Sequence, residues 1–158
     1  MLLLISISVV SALAYLCLSV GVCGGIPVSL SATYYELGCR GWLFQVFMCI
    51  VACTLYPVWM AASSAPLQYL PFLSCASMLF VAAAPSFRMD LEGKVHYTAA
   101  AVCCTCAVLW QVLEGLWDIT LWFAYLGFMI ALGNRTKWCW WLEVCVIGSL
   151  ISNLWRLV

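Results

Sequence analysis

Six apolar stretches, at 2–23, 42–62, 67–84, 97–114, 117–133 and 138–155, take up most of a 158-residue chain. Each is close to the length of about 17–25 residues that a helix needs to cross the hydrocarbon core of a bilayer. The runs read as transmembrane helices, and the chain as an all-α, six-helix integral membrane bundle forming one domain over 1–158. Composition agrees. Apolar residues make up 67% and charged residues 8%, where a soluble domain has roughly 45–50% and about 25%. Six acids and six bases cannot cover that much apolar surface in water, so lipid is the natural solvent.

The joints between runs carry turn signals. Ser63, Ser64, Ala65 and Pro66 separate the second run from the third, and Glu114 to Trp117 form a tight hairpin between the fourth and fifth. Gly133 and Asn134 suit a helix C-cap before the sixth. The first run lacks a basic leader and a small-x-small cleavage site, so it reads as a retained helix rather than a signal peptide. Val22 before Cys23 argues against a lipoprotein cleavage box.

Lysine and arginine in short loops set orientation. With six spans, Arg40, Arg88, Lys94, Arg135 and Lys137 fall on one face and Arg156 on the other. This bias predicts loops one, three and five in the cytoplasm of a bacterial-type inner membrane, with both termini outside. Trp42, Trp117, Trp138, Trp140, Trp141 and Trp155 stand near run ends, as interfacial anchors do.

Two loops hold most of the polar chemistry. Loop one, at 24–36, is longer than a plain helix connection requires, and Thr33 and Glu36 have capping-box spacing, so a short helix is expected there. Loop three, at 85–96, is basic and acidic and ends in His96. Both lie on the predicted cytoplasmic face, where Tyr34, Tyr35, Glu36 and Arg40 could meet Arg88, Asp90, Glu92 and His96. Such a cluster would recognise a headgroup or perform catalysis. The plain alternative is two solvated loops whose charges neutralise each other in weak surface pairs.

At 100° per residue, His96, Ala99, Ala100, Cys103, Ala107, Gln111 and Glu114 share one stripe of the fourth helix. Small residues allow close helix approach and polar ones then face the bundle, so the stripe is expected inside, with His96 at its mouth. Its imidazole could transfer a proton if Asp90 or Glu92 stood near, or simply hydrogen-bond loop one. Glu143 lies about two turns inside the last run, where an ionisable group normally has a partner or a role. Ser8, Ser11, Tyr15 and Ser19 form a polar stripe on the first helix that could face it. Asp118 and Glu114, at the hairpin, could be balanced by Arg156.

Other chemistries are excluded or weakened. One histidine rules out bis-histidine haem, a two-histidine zinc site and an HExxH enzyme. No lysine lies within a run, which speaks against a retinal-type Schiff base. The balanced charge leaves no surface for nucleic acid. Most of the eleven cysteines lie in apolar runs and read as packing thiols. Cys103 and Cys106 have CxxC spacing, but a redox relay would need a second pair, for which Cys23 and Cys39 are the candidates. Those two fall on the side where thiols stay reduced.

Pro27, Ser29 and Ser31 after the first helix, and the charged loop ending in His96 before an alanine-rich helix, resemble the Frag1/DRAM/Sfk1-like and DUF998-like six-span families. The resemblance covers 24–45 and 84–105. It implies the six-helix fold and, for some members, a role near lipid or glycolipid handling; it carries over no catalytic residue. The reading is of a non-enzymatic membrane protein that binds a lipid or small amphiphile between helices. Its expected site comprises Tyr34, Tyr35, Glu36, Arg40, Arg88, His96 and Gln111, with Glu143 as a buried charge. Membrane lipids are the expected partners, self-association is open, and no metal or cofactor is expected. The alternatives are a lipid-headgroup enzyme using His96 with Asp90 or Glu92, and a small transporter or channel built on Glu143.

Overall fold

A computed structural model describes residues 1–86 and 89–158, with side chains described for 1–86 and 91–158. Among these residues every regular element is helical. Six long helices and one single-turn helix follow in order: α1 (Leu2–Val22), α2 (Thr33–Glu36), α3 (Trp42–Ala62), α4 (Tyr69–Ala83), α5 (Met89–Leu113), α6 (Trp117–Gly133) and α7 (Trp138–Leu157). Short 3-10 turns at Gly38–Arg40, Ala65–Leu67 and Ala84–Ser86 join or extend them.

The predicted runs are recovered as helices, with two differences. The stretch expected as loop three is largely helical, because α5 begins at Met89 and runs for 25 residues. Hydropathy hides this start, since Asp90, Glu92 and Lys94 are charged, yet Met, Leu, Glu and Lys are good helix formers. The capping box also fails. A short helix does form at Thr33–Glu36, but its N-cap is Ala32 and no side chain caps it. The Thr33 hydroxyl instead donates to the Leu30 carbonyl and meets the Tyr15 hydroxyl.

Each long helix packs beside its neighbour in sequence, and α7 reaches back to α1, α3 and α5. α3 buries Phe44, Phe47, Val51, Leu55, Val58 and Trp59 along one face. Trp59 meets Trp110 of α5 edge to face, with ring centroids 5.4 Å apart. Tyr15 of α1 stacks on Phe47 at 4.4 Å. Pro57 sits within α3 without ending it, as membrane helices allow when neighbours satisfy the freed carbonyl. α6 is peripheral and buries only Gly127. It seats on α7 where glycine removes bulk: a Cβ on Gly148 would come within 2.6 Å of the Phe123 ring.

α1, α3 with its leading turn, α4 with its flanking turns, and α5 from Leu91 are long and apolar enough to cross a membrane. α6 is apolar and shorter, at 17 residues. α7 has the length but carries Glu143, Ser149, Asn153 and Arg156. Large apolar side chains point outward over the whole surface, among them Leu3, Val10, Phe72, Leu121, Trp122 and Phe128. Lipid, not water, is the solvent such a surface fits. The chain is an integral membrane protein.

Candidate functional site

Loop one does not lie flat over the helix ends. Pro27, Leu30 and Thr33 are buried, and the segment between them folds down into one end of the bundle. Backbone at that depth must find protein partners. The Trp140 amide donates to the Val28 carbonyl at 3.2 Å. The Leu30 amide donates to Glu143 Oε2 at 2.6 Å. Ser29 Oγ accepts from the Ala32 amide at 3.0 Å and stands 3.1 Å from Ser31 Oγ. The partner of Glu143 is therefore loop-one backbone. The polar stripe of α1 is used elsewhere: Ser8 pairs with Thr54 of α3, Tyr15 with Thr33, and Ser19 donates to its own helix.

Beside this folded loop is a cavity of about 490 Å³, lined by Ser29, Ser31, Tyr35 and Phe44, by Glu92, His96, Tyr97 and Ala100 of α5, and by Cys139 and Glu143 of α7. Glu92 and His96 stand one helical turn apart, so both reach it from one face of α5. Glu92 Oε1 is buried with no hydrogen-bond partner among the described residues. Ser31, Phe44, Ala100 and Glu143 also border a narrow cleft of about 70 Å³ that runs inward between Met48, Val51, Met78, Cys103, Val146 and Leu150. Past Leu30, Phe47 and Ile147, which the two spaces share, an apolar groove of about 240 Å³ lies along α1 and α7.

The residues expected to form one site are thus divided. Tyr35, Glu92, His96 and Glu143 come together at the cavity. Glu36 and Arg40 are exposed and do not line it, and Tyr34 packs on Tyr35 at its edge. Arg88 and the Asp90 side chain lie outside the described residues. Gln111 belongs to the other end of the bundle. It is fully buried, donates to the Ala107 carbonyl, and accepts from Asn153 at 2.8 Å and Thr120 at 3.1 Å. The stripe containing it does face inward, with Ala99, Ala107 and Gln111 all buried. Ser29, Ser31, Tyr97 and Cys139 add further polar groups to the lining. Ser29 and Ser31 were visible as a serine pair behind a proline, whereas nothing local marked Cys139.

Near the same end, Glu114 accepts from the Ser64 amide and hydroxyl at 2.7 and 2.9 Å. Arg156 pairs with Asp118, as the sequence suggested. All eleven cysteines are free. The thiol of Cys23, just past the end of α1, is pushed up to about 11 by burial and then by Glu36. It is protonated at neutral pH and gives a thiol relay no nucleophile. No group of three potential metal ligands converges among the described residues.

Fold and cavity together define a polytopic helical membrane protein with a polar-mouthed space between its helices. No protein-family model matches the chain, and no curated protein or solved structure matches it either.

Proposed function

We propose that this protein is a non-enzymatic binder of a lipid or other small amphiphile, held with its polar end in the cavity beside loop one and its tail directed inward. The observation that carries this reading is the gradient of the cavity itself. Hydroxyls, a histidine and two carboxylates line the mouth, and the space continues between side chains that are apolar except for Ser74, whose hydroxyl is spent on the Cys103 carbonyl. An amphiphile matches that sequence of surroundings, and a soluble polar metabolite does not. The resemblance to Frag1/DRAM/Sfk1-like and DUF998-like proteins points the same way. Native mass spectrometry and thermal shift across a lipid panel test it. Selective retention of one lipid class is expected; an equal response to every lipid defeats a specific site.

The alternatives have less support. His96 and Glu92 share a helix face and line one cavity without a hydrogen bond between them, and the Asp90 side chain lies outside the described residues, so no observed contact favours the acid-base reading. A channel would need a continuous polar path, but the cleft leading inward from Glu143 is lined by Cys103, Ala107, Val146 and Leu150, and Gln111 does not border it. We further propose that the cavity opens to the cytoplasm of a bacterial inner membrane, with both termini outside. Arg40 and Arg135 are exposed on the cavity end, while Arg156 is at the opposite end. Cys39 is exposed. In a variant keeping only that cysteine, an impermeant maleimide should label it only after cells are opened. A single cysteine added after Val158 should label in intact cells. Labelling of both from one side would break the even span count, and exchange of sides would reverse the orientation alone.

A further inference from the structure

The cavity that would hold the amphiphile's polar end is unusual in its charges. Glu92 approaches from α5 and Glu143 from α7, and among the described residues no lysine or arginine lines the space. Lys94 is exposed and stands two residues from Glu92, on a different face of the helix. Glu143 Oε2 has one backbone amide as donor, and Glu92 Oε1 has none among the described residues. A carboxyl drawn away from water at a membrane protein's mouth either takes up a proton or keeps its charge beside a positive partner, so a cation entering this space is favoured. The phenol rings of Tyr35 and Tyr97 flank the same space, and aromatic faces also attract cations. A bare metal ion fits poorly, because no three ligating side chains converge among the described residues.

Building on the amphiphile reading, we propose that the headgroup recognised here carries an ammonium group, seated between Glu92 and Glu143 and covered by Tyr35 and Tyr97. Choline-type lipids bring such a group on an amphiphile, and free choline brings it without a tail. An anionic headgroup lacking an ammonium would be repelled by both carboxylates.

The test uses the full chain in maltoside micelles, with binding read by native mass spectrometry and by thermal shift. Four probes are compared: palmitoyl lysophosphatidylcholine, palmitoyl lysophosphatidylglycerol, monopalmitoylglycerol and free choline. The choline lysolipid should bind as a single saturable copy, tighter than the other three by about tenfold or more, the scale of one charge-assisted contact. Glu143→Gln and Glu92→Gln should each remove most of that preference. Each variant is first checked for an unchanged melting temperature without probe, and Glu92→Gln carries the test should Glu143→Gln fail to fold. If the glycerol lysolipids bind as tightly as the choline lysolipid, or both variants keep the preference, the ammonium assignment falls and the amphiphile reading survives. If free choline binds as tightly, the ammonium assignment stands and the amphiphile reading falls. If no probe saturates, both fall.

Discussion

The two ends of the bundle treat their polar groups in opposite ways. At the hairpin end, Gln111, Thr120 and Asn153 bind one another across three helices, Glu114 takes both donors of Ser64, and Asp118 is paired with Arg156. Gln111 Oε1, Glu114 Oε1 and Asp118 Oδ2 are all committed to bonds between elements, while Asn153 Oδ1 is buried without a partner among the described residues. At the loop-one end, Glu92 and Glu143 open onto a cavity with spare capacity. Both ends hold buried polarity at a cost, but only one leaves it available. Polar residues inside a membrane bundle are therefore not a single class, and whether their partners are already present separates glue from receptor.

The contrast predicts which changes move stability and which move binding. Gln111→Leu should have the largest structural effect, since it takes from the buried Asn153 amide one of its two acceptors and leaves it Thr120 alone. A loss of about 1–3 kcal/mol is expected for an unsatisfied buried group, read as a lower midpoint of unfolding in mixed micelles, with lipid selectivity intact. A change of selectivity would show that the ends communicate. Thr33→Val should cost somewhat less, on the order of 1–2 kcal/mol, by leaving the Tyr15 hydroxyl without its partner. The double variant Tyr15→Phe with Thr33→Val should regain part of that loss, and a strictly additive cycle would remove the coupling from the account of how loop one is held. The smallest effect belongs to Asp118→Asn, because the ion pair with Arg156 is exposed at both partners. Its melting temperature should match the parent at moderate salt.

The helices were legible because membrane thickness acts as a ruler. Runs of the right length at 42–62 and 117–133 coincide with α3 and α6 as observed. Gly133 and Asn134 close α6 where expected, with the Asn134 amide bonded back to Ile130 and Ala131. The start of α5 was hidden, since a charged helical turn that projects past the hydrocarbon looks like a loop on hydropathy. The site was legible only in part. His96, Glu92, Tyr35 and Glu143 stood out as polar residues in costly places. Gln111 stood out for the same reason, although its role is to join helices. Composition ranks residues by what they cost, and only the fold shows where their partners are.

The bond between the Leu30 amide and Glu143 joins positions 113 residues apart, and the Val28 carbonyl depends on Trp140 in the same way. This has a consequence for how the chain is made. Loop one leaves the ribosome well before the groups that hold it, since Glu143 follows Leu30 by 113 residues. Until α7 has inserted, the backbone around 28–30 has no seat and must wait at the water boundary, however complete the helices before it. A helix made long after loop one is thus the one that closes it, and without α7 the Leu30 amide and the Val28 carbonyl would have no partner and the mouth would be unfinished.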